Sequence, residues 1–198
     1  NINPEFQNNI ISIGISFESQ MLALMEFIKK EGKNKTIILI PKNKYTEFVE
    51  MKLNQMQFKN YKIFKYSSDP KILTGEIEIL TNYSQRKKNL VLRKKLYEDQ
   101  EDPQSKRELN KLEQKYTIGE VNFDSVIIVD FGNNLKSVLA SLVFTDVNQE
   151  SVLLTTVNQW FDESIFYENT VKRLYYPSVN YKEFKKYKDN YYKIFKNF

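Results

Sequence analysis

The chain has 198 residues, 41% of them hydrophobic and 28% charged, and carries 30 Lys and Arg against 25 Asp and Glu for a formal charge of +5. That is enough apolar sequence for one core, and the length suits one domain or at most two. His and Cys are both absent, which excludes Ser-His-Asp and Cys-His nucleophiles, histidine or thiolate metal centres and any disulfide framework.

Read from the start, NINPEFQNN has neither an initiator Met nor a basic and apolar signal peptide, so the sequence is expected to be a mature or excised piece of a longer protein. Ile10 to Ile15 reads as a strand. Glu18 to Glu31 then spaces Met21, Leu22, Leu24, Met25 and Ile28 as a helix does and stops at Gly32. Thr36 to Ile40 is a second strand, closed by Pro41. Tyr45 to Phe58 puts Phe48, Leu53 and Met56, with Val49 or Met51, on one stripe, and Tyr61 to Tyr66 reads as a third strand. The longest apolar runs, TIILI and SVIIV, are strand-length and fall far short of the about 20 residues a bilayer helix needs.

Ser68 to Tyr116 breaks the rhythm with helix-forming sequence and no strand. Ile72, Leu73, Ile77, Leu80, Val91 and Leu92 fall near three- and four-residue spacing, YEDQEDPQS supplies a turn, and Pro103 can begin a second arm. The expected structure is a helical hairpin inserted over 72–116. Its first arm is basic, with Arg86, Lys87, Lys88, Arg93, Lys94 and Lys95 around Leu90, Val91 and Leu92, and its tip is acidic. Those six cations are the candidate partner-binding residues, since such an arm can pack one narrow stripe and offer its charged sides to an acidic surface.

Ser125 to Val129 is the most apolar strand, and Asp130-Phe131-Gly132 forms the turn before a helix at Leu135 to Phe144. The letters D-F-G invite a kinase reading, but the Gly-rich loop, strand Lys and H-R-D loop that such an Asp needs are missing. In a doubly wound sheet, loops at the carboxyl ends of strands face the ligand crevice, so Asp130 is a crevice candidate. The commoner role of Asp at this position is to cap the helix or to solvate a turn that Gly132 permits. Ser68-Asp69-Pro70-Lys71 matches S-x-x-K without its partner motifs, and no constellation argues for catalysis, a metal or a cofactor.

Val152 to Thr155 is a further strand, Arg173 to Tyr176 a weak edge strand, and Tyr181 to Phe198 an amphipathic helix expected to pack its aromatic stripe on the sheet. Alternating strands and helices throughout imply an α/β fold with a doubly wound, mainly parallel sheet near Ile13, Ile38, Ile63, Ile127 and Leu153.

The stretch VNFDSVIIVDFGNNLKSVLASLVFTDVNQESVLLTTVNQWFDESIF resembles, in order and spacing, a region of the penicillin-binding-protein activators, lipoproteins whose folded part is similar to type I periplasmic binding proteins of the leucine-binding family. Phe123-Asp124, Asp130-Phe131, Asp146, and Trp160 with Asp162 carry it, and Phe17, Glu18, Gln20 and IILIPKNKYTEF extend it across nearly the whole chain. The resemblance implies one lobe of a two-lobed fold, with residues 1–16 a hinge or entry strand and the second lobe missing. It implies a non-enzymatic periplasmic domain, soluble or anchored to the outer membrane by an N-terminal lipid outside this sequence, binding a cell-wall synthase or a small molecule.

The crevice-facing candidates on this reading are Ser16, Asp130, Phe131 and Trp160. An amino-acid receptor of an ABC transporter is the alternative function. A nucleic-acid or anionic-surface module is a third, resting on charge alone, and the Lys-, Asn-, Ile-, Tyr- and Phe-rich composition of A- and T-rich coding weakens it.

Overall fold

The computed structural model describes residues 15–98, 100, 102–159, 164–165 and 171–196. Four strands, β1 (Thr36–Pro41), β2 (Tyr61–Tyr66), β3 (Ser125–Ile128) and β4 (Leu153–Thr156), form one sheet in the order β2-β1-β3-β4. Every pairing is parallel, with Ile38 opposite Ile63 on one side and Ile127 on the other, and Ile127 opposite Thr155. The expected strand near Ile13 lies outside the described residues. The expected weak edge strand is reduced to a single parallel bridge from Thr155 to Tyr175.

The central strands are buried from end to end because helices cover both faces. Side chains alternate between two cores accordingly. Ile38, Ile40, Ile127 and Val129 meet Met21, Leu24 and Ile28 of helix α1 (Phe17–Lys30) and Val49 and Leu53 of α2 (Thr46–Gln55). Ile37, Leu39, Val126 and Ile128 meet Leu73 and Ile77 of α3 (Pro70–Leu80) and Leu135, Val138, Leu139 and Leu142 of α6 (Gly132–Phe144). Each such fully buried aliphatic side chain contributes about 1.5–3 kcal/mol. The fold is therefore a doubly wound parallel α/β structure.

Local chemistry sets the helix ends. Ser16 caps α1 by accepting the Ser19 N–H at 3.1 Å, and Gly32 at φ +73° supplies the left-handed turn that a Cβ would disfavour. Asp69 and Asp102 cap α3 and α5 (Pro103–Glu113), each followed by Pro, whose missing N–H costs nothing in a first turn. At the amino ends of the central strands, Asp124 accepts the N–H groups of Asn34 and Lys35, both at 2.9 Å, and so ties the start of β3 to the start of β1.

Two expectations need correction. The segment 72–116 is not all hairpin: Leu73 and Ile77 put α3 in the layer that covers the sheet, and the hairpin proper is α4 (Tyr83–Glu98) against α5. The amphipathic α7 (Tyr181–Phe195) does not bury its aromatic stripe on the sheet. Tyr187, Tyr192, Ile194 and Phe195 are exposed, and the rings stack along their own helix, Tyr191 against Phe195 at 4.5 Å between centroids. Period-matched apolar residues predict a face and do not name what covers it.

Candidate functional site

In a sheet of order 2-1-3-4, the connections from β1 and β3 leave toward opposite faces, which opens a crevice at the carboxyl ends of these strands. A cleft of about 1020 Å³ lies there. Its floor is the end of the sheet: Ile40 and Pro41 from β1, Val129 and Asp130 after β3, and Val157 after β4. Tyr45, Phe48 and Val49 form one wall, Phe17 and Gln20 of α1 another, and Phe131 and Val179 stand at the margin.

The turn that carries Tyr45 and Phe48 is built by short-range hydrogen bonds. Thr46 Oγ1 donates to Pro41 O at 2.8 Å and the Tyr45 N–H donates to Asn43 Oδ1 at 2.8 Å. Pro41 is the last residue of β1, and the Lys42 N–H beyond it still donates to Tyr66 O at 2.7 Å before the chain turns away. On the far wall the Asn158 N–H donates to Gln20 Oε1 at 2.8 Å, Gln20 Nε2 donates to Ile15 O, and Asn158 Nδ2 donates to Pro177 O at 2.9 Å. Three separate passes of the chain, at Ile15, Asn158 and Pro177, meet at one edge of the cleft.

Among the described residues Asp130 is the one charged residue lining the cleft, and it is 7% exposed. Its Oδ2 accepts the Tyr66 hydroxyl at 2.6 Å, its Oδ1 accepts the Phe131 N–H at 2.8 Å, and its carbonyl accepts from Gln159 Nε2 at 2.9 Å. Burial, reinforced by the adjacent carboxylate, pushes the Tyr66 hydroxyl far above its usual value, so Tyr66 remains the donor. Asp130 thus neither caps α6, whose N-cap is Phe131 without a side-chain bond, nor solvates a turn; it is a buried strut.

Of the other crevice candidates, Phe131 lines the cleft and is half-exposed. Ser16 sits between two lining residues, with its hydroxyl engaged by Ser19 as the α1 cap. Trp160 lies outside the described residues. Sequence reasoning missed Tyr45, Phe48, Gln20, Asn158 and Tyr66. The strand-end rule that selected Asp130, applied equally to β1, would have pointed to the first three residues after Pro41 and to Tyr45.

The six hairpin cations divide. Arg86 is 7% exposed and turned inward, donating from Nε to Gly119 O, from Nη1 to Thr145 O, and from Nη2 to Asp146 O and Thr117 Oγ1, all within 3.0 Å. Burial lowers its basicity while Asp146 opposes that, but a guanidinium keeps its proton in either case. Arg86 is therefore not available to a partner, contrary to the sequence expectation. Lys87, Lys88, Arg93 and Lys95 are exposed and Lys94 half-buried, beside the exposed Val91, Leu92 and Leu96.

No cluster of His, Cys, Asp and Glu able to hold a metal occurs among the described residues, and no described helix is long and apolar enough to cross a membrane. The fold and cleft define a doubly wound α/β protein with a strand-end crevice. Comparison with family models, curated proteins and solved structures gives no match for this chain.

Proposed function

We propose that the chain is a non-enzymatic binding lobe of the type I periplasmic-binding-protein kind, working in a penicillin-binding-protein activator that serves peptidoglycan synthesis at the periplasmic face of the cell envelope. The observation that carries the binding role is the apolar cleft at the ends of β1, β3 and β4. The gathering of chain passes at Ile15, Asn158 and Pro177 supports a lobe that continues into a second one across its crevice edge. The exposed cations and apolar residues of α4 support a protein partner of acidic surface, a bifunctional cell-wall synthase on this reading.

The amino-acid receptor reading is weaker, because among the described residues no Lys or Arg lines the cleft to receive an α-carboxylate. One observation favours a second reading, attachment to an anionic surface: α7 exposes aromatic residues on one side and Lys182, Lys185, Lys186 and Lys193 among its other positions.

The binding role is tested by ligand-observed NMR with uncharged aromatic fragments on wild-type protein and on Phe48→Glu, an exposed wall position that tolerates a charge. Binding lost in the variant supports the cleft, and binding unchanged in the variant removes it. Retention of a purified synthase by immobilised protein tests the cell-wall role, and pelleting with anionic vesicles at low but not high salt would favour the second reading.

A further inference from the structure

The hydrogen-bond accounting of the cleft floor is unbalanced toward acceptors. Each oxygen of a carboxylate has two lone pairs, and those of Asp130 are met by one neutral donor apiece, Tyr66 Oη and Phe131 N. Asp130 forms no ion pair among the described residues, although it is 7% exposed. Beside it, Gln159 spends its Nε2 on the carbonyls of Asp130 and Val157, which fixes the amide orientation, and its Oε1 is buried without a partner among the described residues. Two donors on the wall are already committed, Gln20 Nε2 to Ile15 O and Asn158 Nδ2 to Pro177 O. A buried carboxylate met only by neutral donors is costly to leave so, and a cationic donor entering the cleft relieves it, whereas Gln159 is fully buried and does not line the cleft.

Apart from Gln20, Asn43, Tyr45 and Asn158, the rest of the lining is apolar. Ile40, Val49, Val129 and Val157 surround the floor, with Phe17 and Phe48 on the walls. The nearby cations do not take the role of counter-ion: Lys52 stands 5.6 Å from the Phe48 ring centre but is paired with Glu18 at 2.7 Å, and Lys44 over Tyr45 is exposed at the rim. We propose that the cleft takes a primary amine in its ammonium form on an aromatic or aliphatic body, with Asp130 as its counter-ion and the apolar walls holding the body. This rests on the reading of the cleft as a ligand site and adds its chemical class. A carboxylate-bearing ligand is disfavoured, since the lining offers it a negative charge and no cation.

Three probes of one shape separate the possibilities at neutral pH: phenethylamine, 2-phenylethanol and 3-phenylpropionate, titrated into the whole chain by NMR. The amine is expected to bind about tenfold or more tighter than the alcohol, as one charge-assisted hydrogen bond implies, and the propionate weakest. Asp130→Asn should weaken the amine by about tenfold and so narrow or erase its advantage over the alcohol. Equal binding of amine and alcohol, or tightest binding of the propionate, overturns the proposal while leaving the cleft a ligand site. Failure of all three to bind removes the ligand site and the proposal together. Should Asp130→Asn lose its native circular dichroism, the wild-type ranking of the three probes still decides.

Discussion

Tyr66 and Asp130 stand on either side of the end of β1 and are joined across it by a 2.6 Å hydrogen bond. Pro41 is paired with Tyr66 in the sheet, and Asp130 lies two residues beyond Ile128, whose partner is Leu39, so all three occupy one level. Beside the backbone bond from the Lys42 N–H to Tyr66 O at 2.7 Å, the side-chain bond adds a link from β2 to the end of β3 at the crevice floor.

Tyr66→Phe removes that donor and leaves a buried carboxylate short of a partner. The expected loss is about 1–3 kcal/mol of stability, read from urea unfolding. A loss smaller than 0.5 kcal/mol, in order-of-magnitude terms, would mean that water replaces the hydroxyl and that the strut is dispensable.

Arg86→Lys tests the base of the hairpin. Lysine keeps the charge but not the fork that serves Gly119, Thr145 and Asp146 at once, so carbonyls are left unmet, and a cost of about 2–4 kcal/mol is expected. Lys87→Ala and Lys95→Ala, both exposed, should stay within about 0.5 kcal/mol of wild type. The same denaturation experiment compares them, and equal effects would contradict the assigned burial.

Asp124 predicts a pH dependence. Burial alone would raise its carboxyl, but the N–H donors of Asn34 and Lys35 hold it below the usual carboxylate range. A depressed folded value means that this stabilisation is complete above the unfolded value of about 3.9 and is lost as pH falls through the lower folded value. Wild type should therefore exceed Asp124→Asn in stability at pH 7 by about 1–3 kcal/mol, with the gap closing in acid. A gap that stays constant with pH would assign the effect to packing.

The hairpin can be shortened between Lys88 and Lys106 without touching Arg86. Should α4 dock an acidic partner, the shortened protein keeps its unfolding midpoint and loses salt-sensitive binding to that partner. Unchanged binding assigns the hairpin to solvent, and collapse of the domain would show that the arm is part of the core.

The parallel sheet was legible because TIILI and SVIIV are apolar throughout, as strands covered on both faces must be, and because helices with Gly or Pro at their ends separate them. Asp130 was legible as a strand terminus. Its bond to Tyr66 was not, since the two are 64 positions apart and only the register brings them level. Arg86 looked like five other cations on its arm. A wheel of α4 places it one turn from Leu90 on the buried side, but telling a buried Arg from a solvated one requires knowing that Gly119 and Thr145 present carbonyls there. The face of α7 was read correctly as amphipathic and wrongly as covered.

The central pair of the sheet, β1 with β3, joins residues 89 positions apart, as the Thr36–Ser125 hydroxyl contact records, whereas β1 meets β2 after a single helix. Folding must therefore close its longest loop to make the floor of the cleft, so the crevice is expected to appear late in the folding reaction. Loop-closure entropy grows only logarithmically, and α4 with α5 lengthens that connection by about half, which costs about 0.4 kcal/mol. The hairpin slows assembly little, and until β3 pairs with β1 the apolar faces of both strands stay open to water, an interval in which the chain is prone to aggregate.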